Sequence, residues 1–184
     1  MSGRGSRIWA VAGVASAVLV AAALLTFGLS HRDALASAPL VQRSAPGFAL
    51  PSLDAREKRP VRLADFRGQV VVVNFWASWC TECRTEQAAL NQTWQRFRDS
   101  GVVVLGVDFE DARGDARQYV ATSGVSYPVV VDGDSSTALA YGVRGVPETY
   151  VVDRRGRIVD RMIGPVDARR LSATVDGLLA GPGR

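Results

Sequence analysis

The sequence predicts an α/β fold in which a mixed central sheet carries helices on both faces. Residues 70–75 (VVVVNF) form a continuous apolar run, which is typical of a central strand that is buried on both faces. An amphipathic helical pattern follows at 80–99, and its Leu90, Trp94 and Phe97 recur at helical spacing. A turn at 153–156 (DRRG) then separates two strand-like runs, which predicts a hairpin near the C-terminus.

The remaining elements alternate in type along the chain. Gly101, Gly124 and Gly142 mark the ends of three predicted helices. Together the patterns predict the order β-α-β-α-β-α-β-β-α, which is typical of a sheet layered with helices. After residue 99 the predicted segments are strands at 102–107, 128–131, 149–152 and 158–163, and helices at 111–123, 135–141 and 167–179.

The first 30 residues predict a membrane anchor. Residues 8–29 carry no charge and are long enough to cross a hydrocarbon layer of about 30 Å as a helix. Arg4 and Arg7 precede this segment, which places the N-terminus in the cytoplasm and the rest of the chain outside. The alternative is a signal peptide cleaved near the small residues 34–38, which would release a secreted protein. Both interpretations export the domain.

Two further segments complete the predicted organisation. Residues 31–45 have no clear periodicity and are predicted to be a linker. Residues 46–184 are then the folded domain, a length that suits a single domain.

Composition excludes several classes of function. The net charge is +4, but the basic residues are scattered and all except Lys58 are arginine, so no nucleic-acid surface is predicted. The chain has two cysteines and one histidine, His31, which lies beside the apolar segment. Neither a four-ligand zinc site nor a nucleophile–histidine pair is therefore expected within the domain.

The candidate reactive residues are Cys80 and Cys83, which follow a predicted strand and lie at the start of a predicted helix. Unpaired N–H groups in the first turn of a helix stabilise a thiolate and lower the pKa of the thiol. The spacing allows Cys80 to attack a partner disulfide and Cys83 to resolve the mixed disulfide. An inert disulfide and a metal site are the alternatives, but a bridge closing so short a loop adds little stability.

Three segments resemble one family. Residues 74–86 (NFWASWCTECRTE) resemble the active-site region of the TlpA/ResA/DsbE-like (CcmG-like) thioredoxin family, and 145–149 (GVPET) resemble its second active-site loop. Residues 45–48 (APGF) are similar to its entry motif. The resemblance covers about residues 44–180 and implies a thioredoxin-like fold. It also implies an extracytoplasmic thiol–disulfide oxidoreductase whose redox group is the disulfide itself, without a cofactor or metal.

The resemblance assigns roles around the dithiol. It makes Cys80 the exposed nucleophile and Cys83 the buried resolving thiol, and it makes Pro147 a cis-proline. Such a proline presents the backbone of Val146 to an extended substrate. Trp79 is expected to shape the docking face, and Trp76 to belong to the core or its edge.

Two acids are further candidates. Glu86 follows Cys83 by three residues, so both can share a helix face, and its carboxylate could accept the thiol proton. Since Asn74 stands where thioredoxin has a buried aspartate, Glu86 is the expected substitute; the alternative is an exposed helix glutamate. Glu148 is a candidate second acid facing the dithiol.

One departure from the family pattern bears on the direction of electron transfer. The dipeptide Thr81-Glu82 lacks the proline that many relatives have between the cysteines, and Glu82 adds a negative charge that Arg84 partly offsets. Glu82 and Glu86 together disfavour thiolates, which favours a reductase. Expected partners are exported disulfide proteins, apocytochrome c among them, and a membrane thiol donor of electrons. An oxidase or isomerase of secreted proteins is the alternative function, followed by a binding or metal-chaperone module.

Overall fold

A computed structural model describes residues 41–181 of this 184-residue chain. The predicted anchor at 8–29 and the alternative cleavage region lie outside the described residues. Within residues 41–181, no helix has both the length and the apolar character needed to cross a membrane.

The domain is built on one five-stranded mixed sheet. The strands of the domain are β1 (Ala49–Leu50), β2 (Val61–Arg62), β3 (Val70–Trp76), β4 (Val102–Phe109), β5 (Val129–Asp132), β6 (Glu148–Val152) and β7 (Ile158–Ile163). In the five-stranded sheet the strand order is β5-β4-β3-β6-β7, with β3–β4 and β4–β5 parallel and β3–β6 and β6–β7 antiparallel. The helices are α1 (Thr81–Phe97), α2 (Arg113–Thr122), α3 (Ser136–Ala140) and α4 (Ala168–Ala180). From β3 onward, the predicted order of elements is confirmed.

The central position of β3 follows from its composition. All seven of its residues are buried, and a strand with neighbours on both sides and cover on both faces needs such an apolar run. Asn74 is the polar exception within β3. Since β3 leads directly into the cysteine segment, the rigid centre of the sheet fixes where that segment lies.

The two faces of the sheet carry separate apolar clusters. One cluster packs against α1, α2 and α4, and it contains Trp76, Cys80, Cys83, Leu90, Tyr119, Leu171 and Val175. The other packs against α3 and the N-terminal segment, and it contains Leu50, Phe75, Ala138, Tyr141 and Tyr150. Helices therefore cover both faces, as predicted. We call these the α1 face and the α3 face.

The segment before β3 contains structure that the sequence pattern did not predict. The short strands β1 and β2 pair as an antiparallel ladder, and a 3₁₀ turn, Leu63–Phe66, follows. Part of the predicted linker also belongs to the domain, because Gln42 N–H donates to Ile158 C=O at 2.7 Å and Ala45 N–H donates to Gly156 C=O at 2.8 Å. The ordered domain therefore includes residues 41–45, ahead of the predicted boundary at 46.

Candidate active site

The two cysteines form a disulfide at the start of α1. Cys80 is the N-cap residue of the helix, and the Cα atoms of Cys80 and Cys83 lie 5.3 Å apart. The N–H of Cys83 donates to Cys80 Sγ at 3.0 Å. The sulfur of Cys80 therefore occupies the position where the partial positive charge of a helix N-terminus stabilises a thiolate.

Both sulfur-bearing side chains are buried in this oxidised state. Cys80 and Cys83 are each 3% exposed, so the predicted exposure of Cys80 is wrong for the disulfide form. The reason is geometric, since Cys80 Sγ turns inward toward the N–H of Cys83. The exposed residue of the turn is Trp79, at 59%, and its Nε1 donates to the C=O of Glu110 at 2.9 Å.

Glu86 is a buried acid on the same helix as the dithiol. It is 1% exposed, which excludes the alternative of an exposed helix glutamate. Its Oε1 accepts a hydrogen bond from Asn74 Nδ2 at 2.8 Å, and its Oε2 accepts one from Val166 N–H at 2.8 Å. Burial raises the pKa of Glu86 to about 7, although both hydrogen bonds act in the opposite direction. The carboxyl can therefore exchange a proton near neutral pH.

Asn74 joins the helix carrying the dithiol to the strand after Pro147. Its Nδ2 donates both to Glu86 and to Thr149 Oγ1, the latter at 3.0 Å. In the sheet, Asn74 of β3 pairs directly with Thr149 of β6. One side chain thus fixes Glu86 relative to the loop that ends at β6.

The Val146–Pro147 peptide bond is cis, as predicted. Within residues 41–181, neither the N–H nor the C=O of Val146 forms a hydrogen bond, whereas Pro147 C=O accepts one from Gly164 N–H at 2.9 Å. A cavity of about 390 Å³ lies between Glu82 of α1 and this loop, and Ile163 also lines it. Ile163 is 75% exposed, and the sequence pattern did not identify it because its run is typical of an ordinary edge strand. Together Val146, Pro147 and Ile163 border a groove beside the active-site helix.

Glu148 lies on the opposite face of the sheet from Glu86. It pairs with Phe75 in the β3–β6 register, one position along from the Asn74–Thr149 pair, so its side chain points to the α3 face. Arg161 Nη2 donates to Glu148 Oε2 at 2.7 Å, and Tyr150 Oη donates to the same oxygen at 2.9 Å. Glu148 therefore does not share the sheet face of the dithiol, as a second acid was predicted to do, but it lines the groove beside Pro147, and its role in substrate binding stays a prediction.

The sequence matches the AhpC/TSA family over residues 41–161. The chain belongs to this family. It is 37% identical to the thiol:disulfide interchange protein DsbE of Allochromatium vinosum, over 88% of each chain. It is 38% identical to the thiol:disulfide interchange protein HelX of Rhodobacter capsulatus, over 77% of this chain and 78% of that one.

Comparison with a solved structure identifies the fold. A thiol:disulfide interchange protein DsbE from Chlorobium tepidum aligns with a TM-score of 0.68 at 32% identity, covering 74% of this chain and 96% of that one. The fold is thioredoxin-like. With the dithiol at the start of α1, this AhpC/TSA family member is a thiol–disulfide oxidoreductase that acts through Cys80 and Cys83.

One buried acid of this family member was missed in the sequence. Asp108 is 1% exposed and pairs with Trp76 in the parallel β3–β4 register. Trp76 belongs to the cluster on the α1 face, so Asp108 lies on the same face as Glu86. The predicted strand ended at residue 107, which left Asp108 in a loop; an acid directly after an apolar run was the available signal.

Proposed function

We propose that this oxidoreductase is an extracytoplasmic, membrane-anchored reductase of protein disulfides. The observation that carries the proposal is the buried carboxyl of Glu86, three residues after Cys83 on α1. An acid in that position can accept the proton of the resolving thiol, and its charge acts against thiolates in the reduced enzyme.

The direction of electron flow follows from that charge. When Glu86 is ionised, repulsion raises the pKa of nearby thiols and destabilises the reduced pair as thiolates. A destabilised reduced form makes the dithiol a better electron donor. Glu82 contributes in the same direction from an exposed position, where salt screens its charge.

The reaction consists of two exchanges. The Cys80 thiolate attacks one sulfur of the substrate disulfide, and the other substrate sulfur leaves as a thiolate that takes up a proton. Cys83 then transfers its proton to Glu86 and attacks Cys80 Sγ, so that the mixed disulfide breaks and the second substrate thiolate leaves. Two electrons pass from the dithiol to the substrate, and the Cys80–Cys83 disulfide forms.

The groove beside Pro147 supports a substrate in extended conformation. The N–H and C=O of Val146, which form no hydrogen bond within residues 41–181, can pair with a substrate backbone as an additional strand. Ile163 lines the groove with exposed apolar surface, and Trp79, directly before Cys80, is a further exposed apolar residue. We propose apocytochrome c, with its paired haem-binding cysteines, as a substrate of this kind.

The location of the enzyme follows from the N-terminal sequence. The uncharged residues 8–29, preceded by Arg4 and Arg7, support an anchor with the domain outside the cytoplasm. Residues 31–40 would then be the tether. A membrane thiol donor would return electrons to the Cys80–Cys83 disulfide.

An oxidase or isomerase is the second candidate, and one observation favours it. Cys80 Sγ accepts a hydrogen bond from the N–H of Cys83 at the N-terminus of α1, which stabilises a thiolate and hence the reduced form. The charge of Glu86 and the N-terminus of α1 thus act on the thiolate in opposite directions. The direction of exchange with a substrate shows which of them dominates.

Exchange with a short disulfide peptide tests this function. The full-length protein in mild detergent, reduced and freed of reductant, is mixed with an oxidised Cys-x-x-Cys-His peptide. We expect the peptide to be reduced, and Cys83→Ser to accumulate a disulfide between Cys80 and the peptide. A matched peptide without the histidine measures the preference for haem-binding sequences. Oxidation of the reduced peptide by the oxidised enzyme, without the reverse reaction, would instead establish an oxidase.

A further inference from the structure

Asp108 is a buried acid that the exchange reaction described above does not use. It lies near the end of β4, and neither of its carboxylate oxygens accepts a hydrogen bond from a donor group within residues 41–181. A buried carboxylate without donors is costly unless it carries a proton. The exchange reaction therefore does not explain why a buried carboxyl lies on the face of the sheet that also carries the dithiol.

Its neighbour Asp111 holds the turn that leads to Cys80. Asp111 Oδ2 accepts a hydrogen bond from Ser78 N–H at 2.5 Å, and Asp111 Oδ1 accepts one from Ser78 Oγ at 3.0 Å. Since Ser78 precedes Cys80 by two residues, Asp111 fixes the backbone from which the nucleophile projects.

Asp111 follows Asp108 by three residues and acts on its carboxyl. Burial is the main cause that raises the pKa of Asp108 to about 7, and the charge and hydrogen bonding of Asp111 act in the same direction. Arg113, at the start of α2, acts in the opposite direction. Loss of the Asp108 proton therefore places a buried negative charge close to the Asp111 carboxyl.

The other charged groups around this turn come from α1 and α2. Arg84 Nη2 donates to the C=O of Ser78 at 2.9 Å, and its guanidinium lies 5.1 Å from the centre of the Tyr119 ring. Burial raises the pKa of Tyr119 further above 10, so it stays neutral. Glu86 is directed toward Asn74 and Val166. Ser78 is thus held by Arg84 through its C=O and by Asp111 through its N–H and hydroxyl.

We propose that Asp108 is a positioning residue for disulfide exchange. In its protonated form it donates to Asp111 and keeps the Ser78 turn in place before Cys80. Loss of that proton repels Asp111, loosens the turn and adds negative charge behind the attacking sulfur, so that Cys80 reacts more slowly for a given amount of thiolate.

Alkylation of Cys80 tests this role in the full-length protein. Cys83→Ser leaves Cys80 as the only thiol, and Glu86→Gln removes the other carboxyl that titrates near pH 7. In this background, we measure the rate of reaction with iodoacetamide from pH 5 to 9, divided by the thiolate fraction from absorbance at 240 nm. We expect the rate per thiolate to fall roughly two- to threefold through a midpoint near pH 7, because a like charge appears close by.

The Asp108→Asn variant shows whether the fall in rate comes from Asp108. Asp108→Asn keeps a donor to Asp111 without a titrating charge, and we expect it to abolish the fall while retaining the faster rate. Asp115→Asn, which removes an exposed acid of α2, is the matched control and should leave the fall unchanged. A fall that persists in Asp108→Asn, or no fall in the background protein, would overturn the proposal.

A second measurement on the wild-type chain does not depend on whether the variants fold. The carboxyl carbon of Asp108 is followed by NMR together with the amide of Ser78, which is hydrogen-bonded to Asp111. We expect both to titrate with one midpoint near pH 7. Titration of Asp108 below pH 5, or a Ser78 amide that does not follow it, would equally overturn the role.

Discussion

Asn74 Nδ2 lies 2.8 Å from Glu86 Oε1 and holds the buried acid of α1 to the central strand of the sheet. The same amide reaches Thr149 Oγ1 on the strand that follows Pro147. Two parts of the active site that are far apart in sequence are therefore joined by one side chain. The position of Glu86 relative to Cys83 is set by the sheet as well as by the helix.

Replacement of Glu86 by glutamine should slow the resolving step. Glutamine fills the same space but cannot accept a proton, so we expect release of the mixed disulfide to slow by about 10²-fold, the lower end for general base catalysis. In the wild type this rate should also rise through pH 7, and Glu86→Gln should lose that rise. Stopped-flow measurement of product release checks this. Glu82→Gln, an exposed acid of the same helix, should change the rate by less than about threefold.

Glu86 should also make stability depend on pH. Its pKa is raised from an ordinary 4.5 to about 7 in the folded protein, so the folded state holds the proton more tightly than the unfolded chain. The stabilisation is complete below about pH 4.5, declines as the pH rises toward 7, and is lost above it. At 1.36 kcal/mol per pKa unit, the loss is at most about 3 kcal/mol.

Urea unfolding of the oxidised wild type and Glu86→Gln isolates this effect. The wild type should lose up to about 3 kcal/mol relative to the variant between pH 4.5 and pH 8. A difference between the two proteins that is the same at both pH values would show that Glu86 titrates with an ordinary pKa.

The ion pair of Glu148 and Arg161 should matter for stability and little for redox chemistry. Glu148 is 2% exposed and Arg161 24%, so Arg161→Met leaves a buried charge without its partner and should cost about 3 kcal/mol. Glu148→Gln combined with Arg161→Met should recover part of this loss. Because the pair lies on the α3 face, we expect the reduction potential to stay within about 15 mV of the wild type, a difference of about threefold in the equilibrium constant. Unfolding and redox titrations measure the two effects. A large change in the reduction potential would show that Glu148 acts on the dithiol after all.

Trp79 should act on protein substrates without stabilising the fold. It is 59% exposed, so Trp79→Ala should change the free energy of unfolding by less than about 1 kcal/mol. We expect kcat/KM for a disulfide-bonded protein to fall about tenfold, since exposed aromatics often dominate docking. Activity with hydroxyethyl disulfide, which needs no docking surface, should change little. Leu139→Ala removes an apolar side chain of α3 that is 74% exposed, and it should affect neither substrate.

Most of the fold could be predicted from the sequence because its main strands and helices have a clear hydrophobic pattern. The run 70–75 is buried on both faces, and the predicted boundaries of α1 and β7 agree with the structure to within a few residues. By contrast, β1 and β2 have two residues each, which is too short for any periodicity. The pairing of residues 42–45 with β7 depends on tertiary contacts that no local pattern encodes.

The site was predictable where function leaves a local motif and unpredictable where it depends on register. Cys80, Cys83 and the cis bond at Pro147 follow from short motifs. The direction of Glu148 depends on which residue of β3 it pairs with, and a shift of one position would have pointed it to the other face. Asp108 was missed for a related reason, because β4 extends two residues beyond its predicted end.

The reduction potential of the Cys80–Cys83 pair tests the central claim most directly. The full-length protein in detergent is equilibrated with mixtures of reduced and oxidised dithiothreitol or glutathione, and the oxidised fraction is read by thiol alkylation. Thioredoxin lies at about −270 mV and the oxidant DsbA at about −120 mV. A reductase predicts a value below about −220 mV, with Glu86→Gln shifted to less negative potential. A value above about −160 mV would contradict the account and assign this protein to oxidative folding.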